Sequence, residues 1–206
     1  MGLTLYYAPQ TRASRVIWAL EELGVPHEKV KLDLSKGEHK KPEYLALNPN
    51  ATVPTLVVDG TPMMESIAQV LFLAEKYGVA KKLWPAEGTT ARAEALGWMV
   101  WSAETMGGAL MRYAMNTSER MPAELRNAGS AKAGLDEFTR CVGMLEKRLA
   151  TQDYLLGAEF TLLDLAVGAI TFAKGFFGYD ITPYPRVAAW VERVTKRPAF
   201  QKSQTA

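Results

Sequence analysis

Cysteine and histidine are nearly missing from this chain. Of its 206 residues one is cysteine, Cys141, and two are histidine, His27 and His39. A lone cysteine excludes an intrachain disulfide, a CxxC redox motif and a cysteine-based zinc cluster, and two imidazoles exclude a multi-histidine centre, so no metal is expected. An excess of one charge is missing too: 24 Lys and Arg oppose 22 Asp and Glu. No basic run is long enough to follow a phosphate backbone, so nucleic acid is not an expected partner. No apolar stretch reaches the ~20 residues that span a bilayer. The first ten residues lack the basic-then-apolar order of a secretory signal, so no membrane partner is expected and cytoplasmic residence is the default. What remains is ordinary: 48% hydrophobic and 22% charged residues, enough chain to bury a core in one large domain or two small ones.

The patterning changes once. Residues 3–7 are β-rich. Val16, Ala19, Leu20 and Leu23 then fall on one face of a helix from about Thr11, which Gly24 and Pro26 end. Lys29 to Leu34 alternates with period two and reads as a half-buried strand. A polar stretch leads to strands at 53–58 and 62–64, with Asp59-Gly60 turning between them. Ser66 is placed to cap a helix carrying Ile67, Val70, Leu71 and Ala74, ending at Gly78. This β-α-β, β-β-α order predicts a small mixed sheet with helices packed on it, over residues 1–78. A linker follows at 79–88. From 89 to 206 the periodicity is helical: 90–113, 132–150 and about 185–195. Within it Thr161 and Asp164 have the spacing of a capping box, with Phe160 and Leu165 at the positions of a hydrophobic staple.

Three segments have residue types suited to chemistry. Val53-Pro54 opens a strand with a residue that cannot donate to the ladder. Its plain role is strand entry. Its functional role is a cis bond that turns the Val53 amide and carbonyl outward, where an extended peptide pairs as an added strand. Glu65-Ser66 is either a helix cap or an anion site in which Ser66 and the helix-start amides take a carboxylate while Glu65 meets an ammonium group. The turn Tyr7 to Ser14 holds the hydroxyls of Tyr7, Thr11 and Ser14 and the guanidinium of Arg12 near a helix start. That setting favours a thiolate, although capping by Thr11 or Ser14 also accounts for it.

Together these features resemble the soluble glutathione transferase superfamily along nearly the whole chain. The stretch Gly37-Glu-His-Lys-Lys-Pro-Glu-Tyr-Leu-Ala-Leu-Asn-Pro-Asn-Ala-Thr-Val-Pro-Thr-Leu56 is similar to the delta and theta classes. Glu65-Ser66 and the Thr161–Asp164 box lie where that superfamily keeps its acidic residue, serine and capping box. The resemblance implies an α/β thioredoxin-like N-terminal domain, an all-α C-terminal domain and a homodimer. It implies glutathione as co-substrate, with Val53 beside cis Pro54 on the cysteinyl backbone, Glu65 and Ser66 on the γ-glutamyl head, and His39 with Lys40 near the glycyl carboxylate. The activating hydroxyl departs from the serine-type pattern. Thr11 or Gln10 falls at the serine position, depending on the anchor, and Tyr7-Ala-Pro9 resembles the tyrosine-type motif. The catalytic candidates are therefore Thr11 and then Tyr7, with Ser14 or Arg12 in support. The resemblance also implies an apolar electrophile site walled by Trp98, Trp101, Met106, Met111 and Tyr113, with residues 173–178 adding aromatic surface. The implied activity is conjugation, with peroxidase or isomerase variants. The competing readings are a non-catalytic interaction module and a ligand carrier.

Overall fold

In a computed structural model, residues 2–119 and 121–205 are described. The chain divides into two compact units, one of residues up to Ala86 together with those from Thr195 onward, the other of Glu87–Val194.

The first unit is built on a four-stranded sheet in the order β2-β1-β3-β4. β1 (Leu3–Tyr7) runs parallel to β2 (Glu28–Lys31) and antiparallel to β3 (Thr55–Val58), and β3 pairs antiparallel with β4 (Thr61–Met63). Asp59 and Gly60 both have positive φ, 46° and 83°, which makes the β3–β4 connection the tight turn their sequence predicts. α1 (Ala13–Leu23) buries Ala13, Val16, Ile17, Ala19, Leu20 and Leu23, and Gly24 ends it in the left-handed conformation at φ 57°.

Two expectations change here. β2 is exposed at all four residues rather than half-buried. It is an edge strand that stops at Lys31, so the alternation over Lys29–Leu34 runs past the paired segment. Ser66 does not cap the next helix; it is the first residue of α3 (Ser66–Leu73), and Glu65 occupies the cap position at φ 65°, ψ 109°. A π-helical turn, Ala74–Gly78, extends α3 to the expected stop.

The polar stretch before β3 contains a 3-10 turn, Glu38–Lys40, and α2 (Pro42–Leu45). α9 (Pro198–Gln204) also lies in this unit, against α1, although the sequence pattern assigns it to the helical half. Phe200 meets the edge of Trp18 with ring centroids 4.9 Å apart. Arg197 makes a two-pronged ion pair with Glu22 at 2.7 and 2.8 Å.

The second unit contains α4 (Thr90–Trp101), α5 (Gly107–Thr117), α6 (Ala128–Arg148), α7 (Val167–Phe177) and α8 (Pro185–Thr195) to Val194. No strand occurs among its described residues. Thr89 and Asn127 cap α4 and α6, accepting from the Arg92 and Ser130 amides at 3.2 and 2.8 Å. The single helix expected over 90–113 is interrupted by a π-helical turn, Ser102–Met106. α5 and α6 approach so closely that a Cβ on Gly134 would lie 2.7 Å from the Tyr113 amide nitrogen.

The Thr161–Asp164 box is half reciprocal. The Asp164 carboxylate accepts from the Thr161 amide at 2.9 Å, as its spacing predicts. The Asp164 amide, however, donates to the Thr161 carbonyl at 3.0 Å, because a 3-10 turn begins there, and the Thr161 hydroxyl turns to the carboxylate instead. Asp164 also accepts from the Leu155 amide and the Trp190 indole, each at 2.9 Å.

Candidate glutathione site

The turn between β1 and α1 is tightly ordered. Tyr7 ends β1 on the buried face, and its hydroxyl enters no hydrogen bond among the described residues. Gln10 takes a left-handed conformation, φ 57°. The Thr11 hydroxyl donates to the Ala8 carbonyl at 2.7 Å and accepts from the Ala13 amide at 3.2 Å. The Ser14 hydroxyl donates to the Thr11 carbonyl at 3.1 Å. Thr11 and Ser14 therefore stabilise the start of α1, and the Thr11 proton must leave Ala8 before it can face a thiolate. Arg12 is exposed at the cap position of α1. A cavity of about 490 Å³ opens beside this turn, lined by Ala8 and Pro9 on one side and by Lys31, Leu32, Asp33, Leu34 and Glu38 on the other.

The Asn48-Pro-Asn-Ala-Thr-Val-Pro-Thr segment is braced from below. The buried Tyr44 hydroxyl meets the Thr55 hydroxyl at 2.7 Å and donates to the Thr52 carbonyl. Asn48, also buried, donates to the same two groups at 3.0 and 2.9 Å and accepts from the Asn50 amide at 3.1 Å. Burial raises the Tyr44 phenol above its ordinary pKa, which keeps it a donor. These contacts account for Tyr44, Asn48, Thr52 and Thr55 at this spacing, since together they satisfy the buried polar groups of the loop. The Val53–Pro54 bond they support is cis. Neither the N–H nor the C=O of Val53 is hydrogen-bonded among the described residues, so both are open to an added extended chain.

Ser66 is nearly buried, and its hydroxyl accepts from Arg15 Nη1 at 3.3 Å. A serine hydroxyl that accepts one bond still has its proton to give, so Arg15 leaves that proton available to an anion. Burial, aided by the nearby positive charge of Arg12, lowers the Arg15 pKa to about 10, and the guanidinium remains charged at neutral pH. Arg15 is the candidate site residue that sequence reasoning missed. Its only signal was a cation between Ala13 and Val16, two fully buried positions of α1.

Glu65 is exposed, its carboxylate has no cationic partner among the described residues, and its φ of 65° is unusual for a residue with a side chain. Such a conformation costs roughly 1–3 kcal/mol and persists where surrounding structure demands it. His39 lies in the 3-10 turn with its Nδ1 buried and unpartnered, and Lys40 beside it is exposed.

In the helical unit the apolar candidates separate into groups. Trp98 and Trp101 are half-buried and pack edge to face, 5.0 Å between centroids. Arg148 lies 5.8 Å over Trp98 and pairs with Glu94 at 2.8 Å. Tyr113 packs against Phe177 at 5.2 Å, and Phe177 against Phe172. Phe172 stacks on Phe176, which is 54% exposed. Met111 is 42% exposed, but Met106 has no exposed surface and is core. Among the described residues no group of metal-binding side chains occurs, and no helix is long and apolar enough to cross a membrane.

Known proteins are similar to this chain over parts of both units. The family model "Glutathione S-transferase, N-terminal domain" matches residues 11–76, and "Glutathione S-transferase, C-terminal domain" matches residues 117–193. Glutathione S-transferase GstB of Escherichia coli is 32% identical over 194 residues, covering 93% of this chain and 92% of that protein. The disulfide-bond oxidoreductase YfcG of the same species is 30% identical over 205 residues, with coverage of 96% and 92%. The glutathione transferase URE2P6 of Phanerochaete chrysosporium, solved with oxidized glutathione, superposes with a TM-score of 0.87 at 28% identity, covering 98% and 94% of the two chains. A Burkholderia graminis glutathione transferase with two glutathione molecules per subunit gives 0.88 at 25% identity, covering 100% and 88%. The chain belongs to the glutathione S-transferase family.

Proposed function

We propose that this protein is a glutathione transferase that holds glutathione along its N-terminal unit and presents it as a thiolate to small apolar electrophiles. One observation carries the reading: the groups left without partners match the tripeptide in kind. The open Val53 main chain suits the cysteinyl backbone. The exposed Glu65 carboxylate suits the α-ammonium of the γ-glutamyl head, and the Ser66 proton, backed by Arg15, suits its carboxylate. The half-buried His39 imidazole and the exposed Lys40 ammonium suit the glycyl carboxylate. The relatives' names and the glutathione in neighbouring structures support the same assignment.

The thiolate attacks an electrophilic carbon, a C–S bond forms, and the displaced group leaves with the electron pair of its bond. Proximity and a lowered thiol pKa supply the rate. Tyr7, with an unengaged hydroxyl, and Thr11, after release from Ala8, are the two donors suited to the sulfur. Trp98, Trp101, Met111 and Tyr113 belong to the acceptor side. The division into residues 1–78, 79–88 and 89–206, a homodimer, cytoplasmic residence and a detoxification role complete the proposal. The relative named as a disulfide-bond oxidoreductase favours a second reaction of the same thiolate, attack on a disulfide sulfur with release of a thiolate.

The test is saturable, glutathione-dependent conjugation of an aryl halide followed by absorbance. No glutathione binding at millimolar concentration overturns the reading and leaves the interaction module.

A further inference from the structure

α3 buries Ser66, Gln69, Val70 and Leu73. Gln69 is a carboxamide with no exposed surface, at a position where the packing calls for an apolar side chain. Its Nε2 donates to the Pro54 carbonyl at 3.1 Å and to the Met63 carbonyl at 2.7 Å. Two carbonyl acceptors fix the amide's orientation, since only its NH₂ end can serve both. Its main-chain N–H donates to the Glu65 carbonyl at 3.0 Å. Its Oε1 is buried without a partner. An isosteric apolar residue would remove the unpaired Oε1 but would also take the donor away from the Pro54 and Met63 carbonyls, so the amide both satisfies these acceptors and ties their segments together. What the amide provides is a tie. One side chain joins the residue after Val53 to the residue two before Glu65, while its own backbone closes the Glu65 turn.

We propose that Gln69 is a positioning residue of the glutathione site, setting the separation between the Val53–Pro54 edge and the Glu65–Ser66 turn. The proposal rests on the glutathione reading, in which these segments hold adjacent parts of one tripeptide. Gln69 touches no substrate and acts through the two carbonyls it holds.

The experiment compares the natural protein with Q69M and Q69E, measuring the glutathione dissociation constant by calorimetry, the melting temperature, and KM against kcat for conjugation. Q69M keeps the volume and loses both hydrogen bonds. It is expected to remain folded with a lowered melting temperature, to bind glutathione at least tenfold more weakly well below that temperature, and to raise KM for glutathione with kcat within about twofold. Q69E places a carboxylate against two carbonyls. Its affinity relative to the natural protein is expected to recover as pH falls and the carboxyl becomes a donor. Q69M binding glutathione as the natural protein does overturns the proposal and leaves the glutathione reading intact. Loss of the fold in Q69M also overturns it, by assigning Gln69 to stability. A natural protein that binds no glutathione overturns both.

Discussion

Ser66 receives one hydrogen bond and has one to give, and the account depends on where the second goes. With Arg15 Nη1 donating at 3.3 Å, the proton points away from the guanidinium. A hydrogen bond to a charged group contributes about 1.5–3 kcal/mol. Ser66→Ala is therefore expected to weaken glutathione binding by about tenfold or more without a comparable loss of melting temperature, measured by calorimetry and thermal unfolding. An unchanged dissociation constant would remove Ser66 from the site. Ser66, Glu65, Val53 and His39 stand out in the sequence as candidates because each lies in a motif with a recognisable spacing. Arg15 was not legible, since an arginine one turn into an amphipathic helix looks like any solvated cation. Its meaning comes only from Ser66, 51 positions away. Gln69 was hidden for the same reason: what it ties together is distant along the chain.

At the scale of elements the Thr161–Asp164 turn is the sharpest case. Spacing alone identified the carboxylate's bond to the Thr161 amide. It could not give the partners from Leu155 and Trp190, which arrive from elsewhere in the helical unit. Burial raises the Asp164 pKa to about 6 from an ordinary 3.8, against the pull of its hydrogen bonds. The folded state then holds a proton that the unfolded chain releases between these values. The contribution of Asp164 to stability is therefore fully present below about pH 4 and lost as pH rises through about 6. Urea unfolding of the natural protein and Asp164→Asn across this window checks the sign: the difference between them should shift in favour of the natural protein as pH falls. A difference independent of pH would contradict the raised pKa. Helix ends were readable where a cap exists, as at Gly24. The π-helical interruption at Ser102–Met106 and the close approach at Gly134 were not, because neither leaves a periodic mark. β2 misled because alternation reports which side chains share a face and not whether anything covers that face.

At the scale of the whole molecule, the change from mixed to helical periodicity correctly separated a sheet-containing part from a helical one. The return of the chain after Thr195 to the first unit could not be read, since α9 is helical wherever it packs. Its anchor, Arg197 on Glu22, joins residues 175 positions apart, and the Glu22 side chain is only 7% exposed. Arg197→Ala is expected to cost about 1–3 kcal/mol, discounted for the partly exposed guanidinium, seen as a lower urea midpoint; an unchanged midpoint would show that the ion pair does not anchor α9 and leave that role to its packing on α1. The central claim, that this fold activates glutathione, is tested most directly by titrating the bound thiol through its ultraviolet thiolate absorbance in the natural protein, Thr11→Ala and Tyr7→Phe. The account predicts a pKa at least one unit below the free value of about 8.5, and loss of that shift in one of the two variants. Saturable binding with an unshifted thiol would contradict activation and leave a glutathione carrier.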